Sequence, residues 1–257
     1  MEKRDWPADD YAIGLYIQAT VADFYLNQFH PEPTDAILDI GCGDGSYSVK
    51  ILKKIPHGTP TGIDASDTML KLAEKTAQSY PNFKVQKGDA LSIDFSNSFD
   101  AITSFWCLQW TNNIPLAFEK IFQALKPGGQ IFIIFPSGDD AYIKSYQAVK
   151  ASNIFSELEH FIPPVIYTDP AILEKQLLKL PFTELNIQRI PQSVTLPDLS
   201  VFQRFINGIG FYQGQIPADK IASINEAMVQ WYDSVCKSKY KGQYQFNFSP
   251  FYITGKK

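Results

Sequence analysis

Histidine, cysteine and methionine are scarce in this chain of 257 residues, with three of each. The cysteines, Cys42, Cys107 and Cys236, are far apart and odd in number. They form neither a disulfide framework nor a zinc site, and they fit a reducing compartment, so the expected location is cytoplasmic. Long apolar runs are missing. The longest, Ile131 to Phe135, is far too short to span a bilayer. The stretch Met1-Glu-Lys-Arg-Asp-Trp-Pro has charges but no apolar core, so no secretory signal is expected. Positive charge is not in excess: 23 Lys+Arg against 27 Asp+Glu leave a net charge of −4. That balance lacks the electrostatic footprint of a nucleic-acid binder. There is no internal repeat, low-complexity tract or linker, and no His/Asp/Cys spacing suggests a metal.

Aromatic residues, in contrast, are plentiful: 19 Phe, 13 Tyr and 4 Trp, or 14% of the chain. From Thr34 to Phe135 strand-like and helix-like patterns alternate. Ala36 to Ile40 is a short apolar run ending in glycines. Ser46 to Ile55 follows as a helix, Thr61 to Asp64 as a strand, and Ser66 as an N-cap for a helix carrying Met69, Leu70 and Ala73. Phe83 to Gln86 and Ala101 to Phe105 are further strands. A helix over Ile114 to Leu125 is stopped by Pro127-Gly-Gly129, and Ile131 to Phe135 reads as a fully buried strand. Such alternation predicts parallel βαβ units in a doubly wound α/β sheet. Ligands of these sheets bind beyond the C-terminal strand ends. Asp9 to Phe29 reads as a helix. Beyond the core, helices are expected over 141–161, 170–180, 199–209 and 218–239, one or two strands over 183–196, and a closing strand or hairpin over 243–254. In the helix over 218–239, Ile221, Ile224, Met228, Trp231 and Val235 form an apolar stripe.

Asp39-Ile-Gly41-Cys-Gly43-Asp-Gly45 is the most informative segment. Glycines at a strand–helix turn allow close backbone approach and unusual dihedrals. The spacing G-x-G-x-G differs from the dinucleotide fingerprint G-x-G-x-x-G. Asp39, just before the first glycine, would repel a pyrophosphate and attract an ammonium group. Asp64 ends the second strand, 23 residues beyond Gly41, near the roughly 20 expected of an acid that bonds ribose hydroxyls. After the third strand, Asp89 could accept from an adenine amino group and Ala90 leave room for the ring. Met69 would either cover the other adenine face or pack in the core.

With Asp39, the three glycines, Asp64, Asp89 and Leu125-Lys-Pro-Gly-Gly129 in this order, the sequence resembles the class I S-adenosylmethionine-dependent methyltransferases. The resemblance is strong over about Thr34 to Phe135 and weaker in the flanks. It implies a Rossmann-like seven-stranded sheet, mostly parallel, with an antiparallel last strand supplied by Gln243 to Thr254. It implies one methyltransferase domain over 1–257: a helical lid over 1–33, a cofactor-binding core over 34–136, and substrate-side helices and closing strands over 137–257. Asp39 and Gly41 would hold the methionine part of S-adenosylmethionine, Asp64 the ribose hydroxyls, and Asp89 and Ala90 the adenine, with Gly43 and Ala65 as further cofactor-binding residues. Leu125 to Gly129 would be a structural turn before the fifth strand. Ser104-Phe-Trp-Cys-Leu-Gln-Trp110 resembles the segment after strand four in carboxyl O-methyltransferases of the trans-aconitate and juvenile hormone acid type. Tyr11 and Gln18 resemble that group's cofactor-lidding helix.

In-line methyl transfer demands alignment and exclusion of water. An ionised carboxylate nucleophile needs no general base, whereas phenol, amine or carbon nucleophiles usually do. Bases are few here. His30 and His57 fall outside the expected strand ends, and His160 lies in the helical insertion. Phe105, Trp106 and Trp110 follow the fourth strand, where rings could stabilise a sulfonium by cation–π attraction. Gln109 could hydrogen-bond a carboxylate without adding charge, and Arg204 is a candidate cationic clamp. The expected activity is thus O-methylation of a small carboxylic acid, releasing S-adenosylhomocysteine. The alternatives are C-, N- or phenolic O-methylation of a small molecule or carrier-bound acyl group, and a non-catalytic S-adenosylmethionine-binding module.

Overall fold

A computed structural model describes residues 8–165 and 169–257, with side chains from residue 17 onward. Helix α1 covers Ala8–Leu26. Strand β1 (Ala36–Ile40) leads through the glycine turn into α2 (Ser46–Leu52), then β2 (Thr59–Asp64), α3 (Asp67–Ala77) and β3 (Lys84–Lys87). Strand β4 (Phe99–Phe105), a one-turn 3₁₀ helix over Leu108–Trp110, α4 (Ile114–Ala124) and β5 (Leu125–Phe135) follow. The later elements are α5 (Ala141–Ala151), α6 (Pro170–Leu177), β6 (Glu184–Arg189), β7 (Gln192–Thr195), α7 (Leu199–Gly208), α8 (Ala218–Lys239), β8 (Gln245–Phe248) and β9 (Phe251–Lys256). Ser66 caps α3 as expected, its hydroxyl accepting from Met69 N. Asn113, Asp140, Asp169 and Asp198 cap α4, α5, α6 and α7 in the same way, each accepting a first-turn backbone N–H.

The described residues fall into two compact units. The described residues of the sheet unit are 25–135, 169–190 and 250–257. Its seven strands run in the order β3-β2-β1-β4-β5-β9-β6, and β9 is antiparallel to both β5 and β6. This is the expected mostly parallel sheet. Its antiparallel strand is only Phe251–Lys256, however. The alternating stretch at Phe246 and Phe248 belongs instead to β8, which pairs with β7 in a separate two-stranded sheet. Pro250, without a ladder donor, separates the two.

Pro127-Gly-Gly129 also differs from expectation. It lies inside β5, where the register shifts between the Leu125–Phe99 and Gln130–Ala101 pairs. A Cβ on Gly129 would come within 2.9 Å of the Lys126 carbonyl and 3.0 Å of that of Asp100, so the bulge needs glycine. The same bend brings the Lys126 ammonium to Asp100 at 2.8 Å. Apolar residues of β1, β4, β5 and α4 form the main core, including Leu38, Ile102, Phe118 and Ile133. A further aromatic row runs Tyr25–Tyr252–Phe132–Phe105–Tyr47, with centroid spacings of 4.5, 5.3, 6.0 and 5.0 Å.

The described residues of the helical unit are 8–24, 136–165 and 191–249. Its interior is largely rings. Tyr142, Tyr146, Phe161, Phe211 and Tyr212 interlock, and Phe202 stacks on Tyr232 at 3.8 Å. Thus Phe161, Phe202 and Phe205 are packing residues. The buried face of α8 is rotated from the expected stripe: Ile224, Met228, Val229, Tyr232 and Cys236 point inward, while Trp231 and Val235 lie at its margin. The Phe202–Tyr232 stack fixes that rotation.

Two glycines of similar backbone conformation test how far packing constrains the sheet edge. Gly41 has φ +74°, and a Cβ there would overlap the Cβ and Sγ of Cys107. Gly128 has φ +79° with open space around it. Gly128→Ala should cost about 1–2 kcal/mol, the left-handed penalty alone. Gly41→Ala adds overpacking of about 1–3 kcal/mol. Urea denaturation should place the Gly41 variant's midpoint clearly below that of the Gly128 variant. Equal midpoints would contradict the tight Gly41–Cys107 approach.

Candidate active site

Strand order reverses at β1, between β2 and β4. The C-terminal ends there make the crevice where open α/β sheets bind ligands. They carry Asp39 and the glycine turn (β1), Asp64 (β2), Asp89 (beyond β3) and Trp106 (beyond β4).

The glycine turn is tied to β2 by its backbone. The N–H groups of Gly41 and Cys42 both donate to the Ile63 carbonyl, at 2.8 and 3.0 Å. Gly41, Gly43 and Gly45 all adopt positive φ (74°, 56° and 82°), a region other residues enter at a cost. Two of these glycines make room for protein. Gly41 faces Cys107, and a Cβ on Gly45 would meet the Phe83 ring at 2.8 Å. Gly43 donates its N–H to Asp64 Oδ2 at 3.0 Å, while Ser66 N donates to Asp64 Oδ1 at 2.8 Å. The Asp64 carboxylate thereby joins the glycine turn to the start of α3.

Asp39 is 1% exposed. Ser48 Oγ donates to its Oδ2 at 2.6 Å and Thr103 Oγ1 to its Oδ1 at 2.9 Å. Its pKa is raised to about 6: burial and, to a smaller degree, the nearby Asp64 charge push it up, against the lowering effect of these hydroxyls. The open carboxylate expected from sequence is therefore a buried one, with one hydroxyl on each oxygen. Ser48 and Thr103 were missed in the sequence reading. For Thr103 the visible signal was a polar residue inside the apolar strand β4, and its pairing with Asp39 is a long-range feature of the sheet. Burial also raises the Asp64 pKa, opposed by backbone N–H groups of Ser66, Gly43 and Ala65. The Cys42 and Cys107 thiols are pushed upward by burial and by these carboxylates. They stay protonated and are poor nucleophiles.

Asp89 is exposed, its Oδ1 accepting from Leu91 N at 2.8 Å, and Ala90 beside it is buried. Ala65 is exposed beyond β2. Met69 is 3% exposed on the inward side of α3 with Leu70 and Ala73, which favours its core role. Phe105, expected beside the methyl donor, is buried between Tyr47 and Phe132 in the aromatic row. Trp106 and Trp110 remain half-buried at the end of β4. Gln109 is buried, and its Nε2 donates to the Trp106 carbonyl at 2.7 Å. Gln18 is half-buried on α1, in the helical unit, as is Arg204 on α7. The Tyr11 side chain lies outside the described residues.

Neither sheet-unit histidine is at this edge. His57 precedes β2, and His30 lines a groove with Gln130 and Lys256 at the opposite strand ends. His160 is exposed in the helical unit. Among the described residues, no three His, Cys, Asp or Glu side chains converge as for a metal ion. No described helix is long and apolar enough to cross a membrane.

The sheet order, the glycine turn and the carboxylates at successive strand ends define a class I methyltransferase fold. Residues 37–129 match the family described as "Methyltransferase domain". It is similar to trans-aconitate 2-methyltransferase of Deinococcus radiodurans, 31% identical over 53% of this chain and 52% of that protein. The chain thus spans about half the length of that relative. It is also similar to juvenile hormone acid O-methyltransferase of Drosophila melanogaster, 28% identical over 75% of this chain and 69% of that protein. A phosphoethanolamine N-methyltransferase of Haemonchus contortus, solved with S-adenosylhomocysteine, shares the fold at a TM-score of 0.59. It is 20% identical, with 91% of this chain and 51% of that one covered.

The buried Asp39 has a consequence for stability. Its pKa in the native state, about 6, exceeds its unfolded value, 3.8. The native state therefore holds the proton more tightly, and the side chain's contribution is most favourable below pH 4. That contribution is lost as pH rises to 6 and is constant above. The amide introduced by Asp39→Asn does not titrate. Between pH 4 and pH 7.5 the stability of Asp39→Asn relative to wild type should rise by about 2–3 kcal/mol. Urea titrations at the two pH values measure it, and a pH-independent difference would refute the buried-carboxylate assignment.

Proposed function

We propose that this chain is an S-adenosylmethionine-dependent methyltransferase that esterifies a small carboxylic acid. The cofactor half of the reading is supported by chemical fit. S-adenosylmethionine carries an ammonium, a sulfonium and a ribose diol, and the switch-point edge is rich in acceptors. Asp39, backed by the Ser48 and Thr103 hydroxyls, draws the ammonium end. Asp64 takes the ribose hydroxyls, which compete for the carboxylate now bonded to Gly43 N. Asp89 and Ala90 flank the adenine. The bound cofactor supplies an electrophilic methyl on sulfur.

The acceptor half rests on one observation: neither sheet-unit histidine is at the C-terminal strand ends, and both thiols there are held protonated. A nucleophile that brings its own negative charge suits such a site, because nothing has to remove its proton. Trp106 and Trp110 supply an apolar wall and a π-face for the positive sulfur. The names of the two acid-methylating relatives agree with this reading.

Calorimetry should detect S-adenosylmethionine binding that weakens at least tenfold in Asp64→Ala. It should also weaken below pH 6 in the wild type, as protonation of Asp39 removes its attraction for the ammonium. Incubation with a panel of carboxylic acids should release S-adenosylhomocysteine at a rate nearly flat from pH 6.5 to 9. Undiminished binding in Asp64→Ala would overturn the cofactor site. A rate that climbs steadily between pH 7 and 9 would point to a base-dependent acceptor instead.

A further inference from the structure

Trp106 follows β4 with φ +58°. The other non-glycine residues with positive φ among those described are Asn97, Asn153 and Lys241. Asparagine tolerates this region because its short polar side chain bonds locally, and lysine is unbranched near the backbone. A tryptophan there is an outlier that persists only where its surroundings over-determine it.

Both backbone groups of Trp106 are pinned. Its N–H donates to the Ile134 carbonyl of β5 at 2.8 Å. Its carbonyl accepts from Gln109 Nε2 at 2.7 Å. Gln109 is 4% exposed, and its Oε1 is buried with no hydrogen-bond partner. A buried acceptor without a donor is costly. The amide cannot escape by flipping, because that would set Oε1 against the Trp106 carbonyl. The side chain thus gives up its acceptor to keep its donor on Trp106. This is not the geometry of a glutamine presented to a substrate carboxylate.

We propose that Gln109 is a positioning residue: it locks the left-handed Trp106 backbone so that the indole stands fixed at the C-terminal edge of β4. The indole is the group that meets the acceptor and the methyl donor, and Gln109 acts through it. This deepens the proposed methyl transfer and, for its kinetic arm, rests on it. Its spectroscopic arm does not.

The test uses Gln109→Met, which keeps volume and removes the donor, and Gln109→Glu, which keeps shape and cannot donate when ionised at pH 8. Should the first fail to fold, the second carries the experiment. In the near-ultraviolet circular dichroism of the intact chain, either substitution should change the tryptophan bands. The change should vanish in a Trp106→Phe background. In turnover of an accepted acid, either variant should lose at least tenfold in kcat, a larger change than in its S-adenosylmethionine Kd. In the Trp106→Phe background that loss should shrink below twofold. An unchanged spectrum, or a change that survives Trp106→Phe, overturns the positioning role. So does a rise in KM for the acid of equal size in both backgrounds, which would place Gln109 on the substrate. If no acid turns over, the spectra still decide the role of Gln109, while the methyl-transfer reading fails on its own.

Discussion

The site depends on one buried charge. Asp39 sits in the middle strand of the switch point, and its two oxygens hold hydroxyls from different elements, Ser48 of α2 and Thr103 of β4. An isolated carboxylate in this position would be costly to ionise. The two hydroxyls lower that cost enough to leave a pKa of about 6, so the group is mostly ionised at neutral pH. Because one donor lies on the following helix and the other on the neighbouring strand, the same interaction ties both the start of α2 and the register of β4 to β1. The Asp39–Thr103 and Asp39–Gly62 pairs then set the relative heights of the β4 and β2 ends. Asp64 and Trp106 are placed as a consequence of that register.

Glycine in the turn after β1 has two separable causes. Positive φ at three successive alternate positions needs glycine for the chain to reverse. At Gly41 and Gly45 the missing Cβ is also space already used, by Cys107 and by Phe83. A reading that assigns all three glycines to ligand approach therefore credits the ligand with room that the protein fills. What the turn offers outward is its backbone. The Gly43 N–H already shows what it binds, since it takes a carboxylate oxygen from Asp64.

The fold was legible where burial alone decides the pattern. Ile131 to Phe135 is apolar throughout because β5 is covered on both faces. The start of α3 was legible because its Ser66 cap is a local hydrogen bond. Long-range pairing was not. Nothing local says which of Gln245–Phe248 and Phe251–Lys256 is the antiparallel strand of the large sheet, since both are short and both contain aromatics. Partners distant in sequence choose between them: β7 for the first, β5 and β6 for the second. The α8 stripe failed for the same reason. Spacing identifies an amphipathic helix but leaves its rotation open by about one residue, and the Phe202 ring pulled Tyr232 rather than Trp231 inward. At the site, Asp39, Asp64 and Asp89 were legible as acids at strand ends, but their hydrogen-bond state was not. The separation of Phe105 from Trp106 was also invisible. Phe105 is the last residue of β4 and packs into the sheet-face stack, whereas Trp106 leaves the strand with positive φ and stays half-buried at its end.

Charge is unevenly distributed along the edge. The ends of β1, β2 and β3 carry Asp39, Asp64 and Asp89. The end of β4 carries Trp106, a protonated Cys107, Gln109 and Trp110, none of them charged. In the proposed reaction these two halves have opposite tasks. A cationic cofactor gains from the three acids, whereas a carboxylate acceptor would be repelled by them in the absence of that cofactor. The neutral, ring-lined end of β4 is the side from which an anion can approach without facing an acid directly. The acids also become less repulsive once the cofactor's positive groups are in place, which favours an order of binding with cofactor first. The shortage of bases and the surplus of rings then have one explanation at this site. A nucleophile that arrives ionised needs a shaped, uncharged wall more than it needs a proton acceptor, and rigid indoles provide that wall without adding charge.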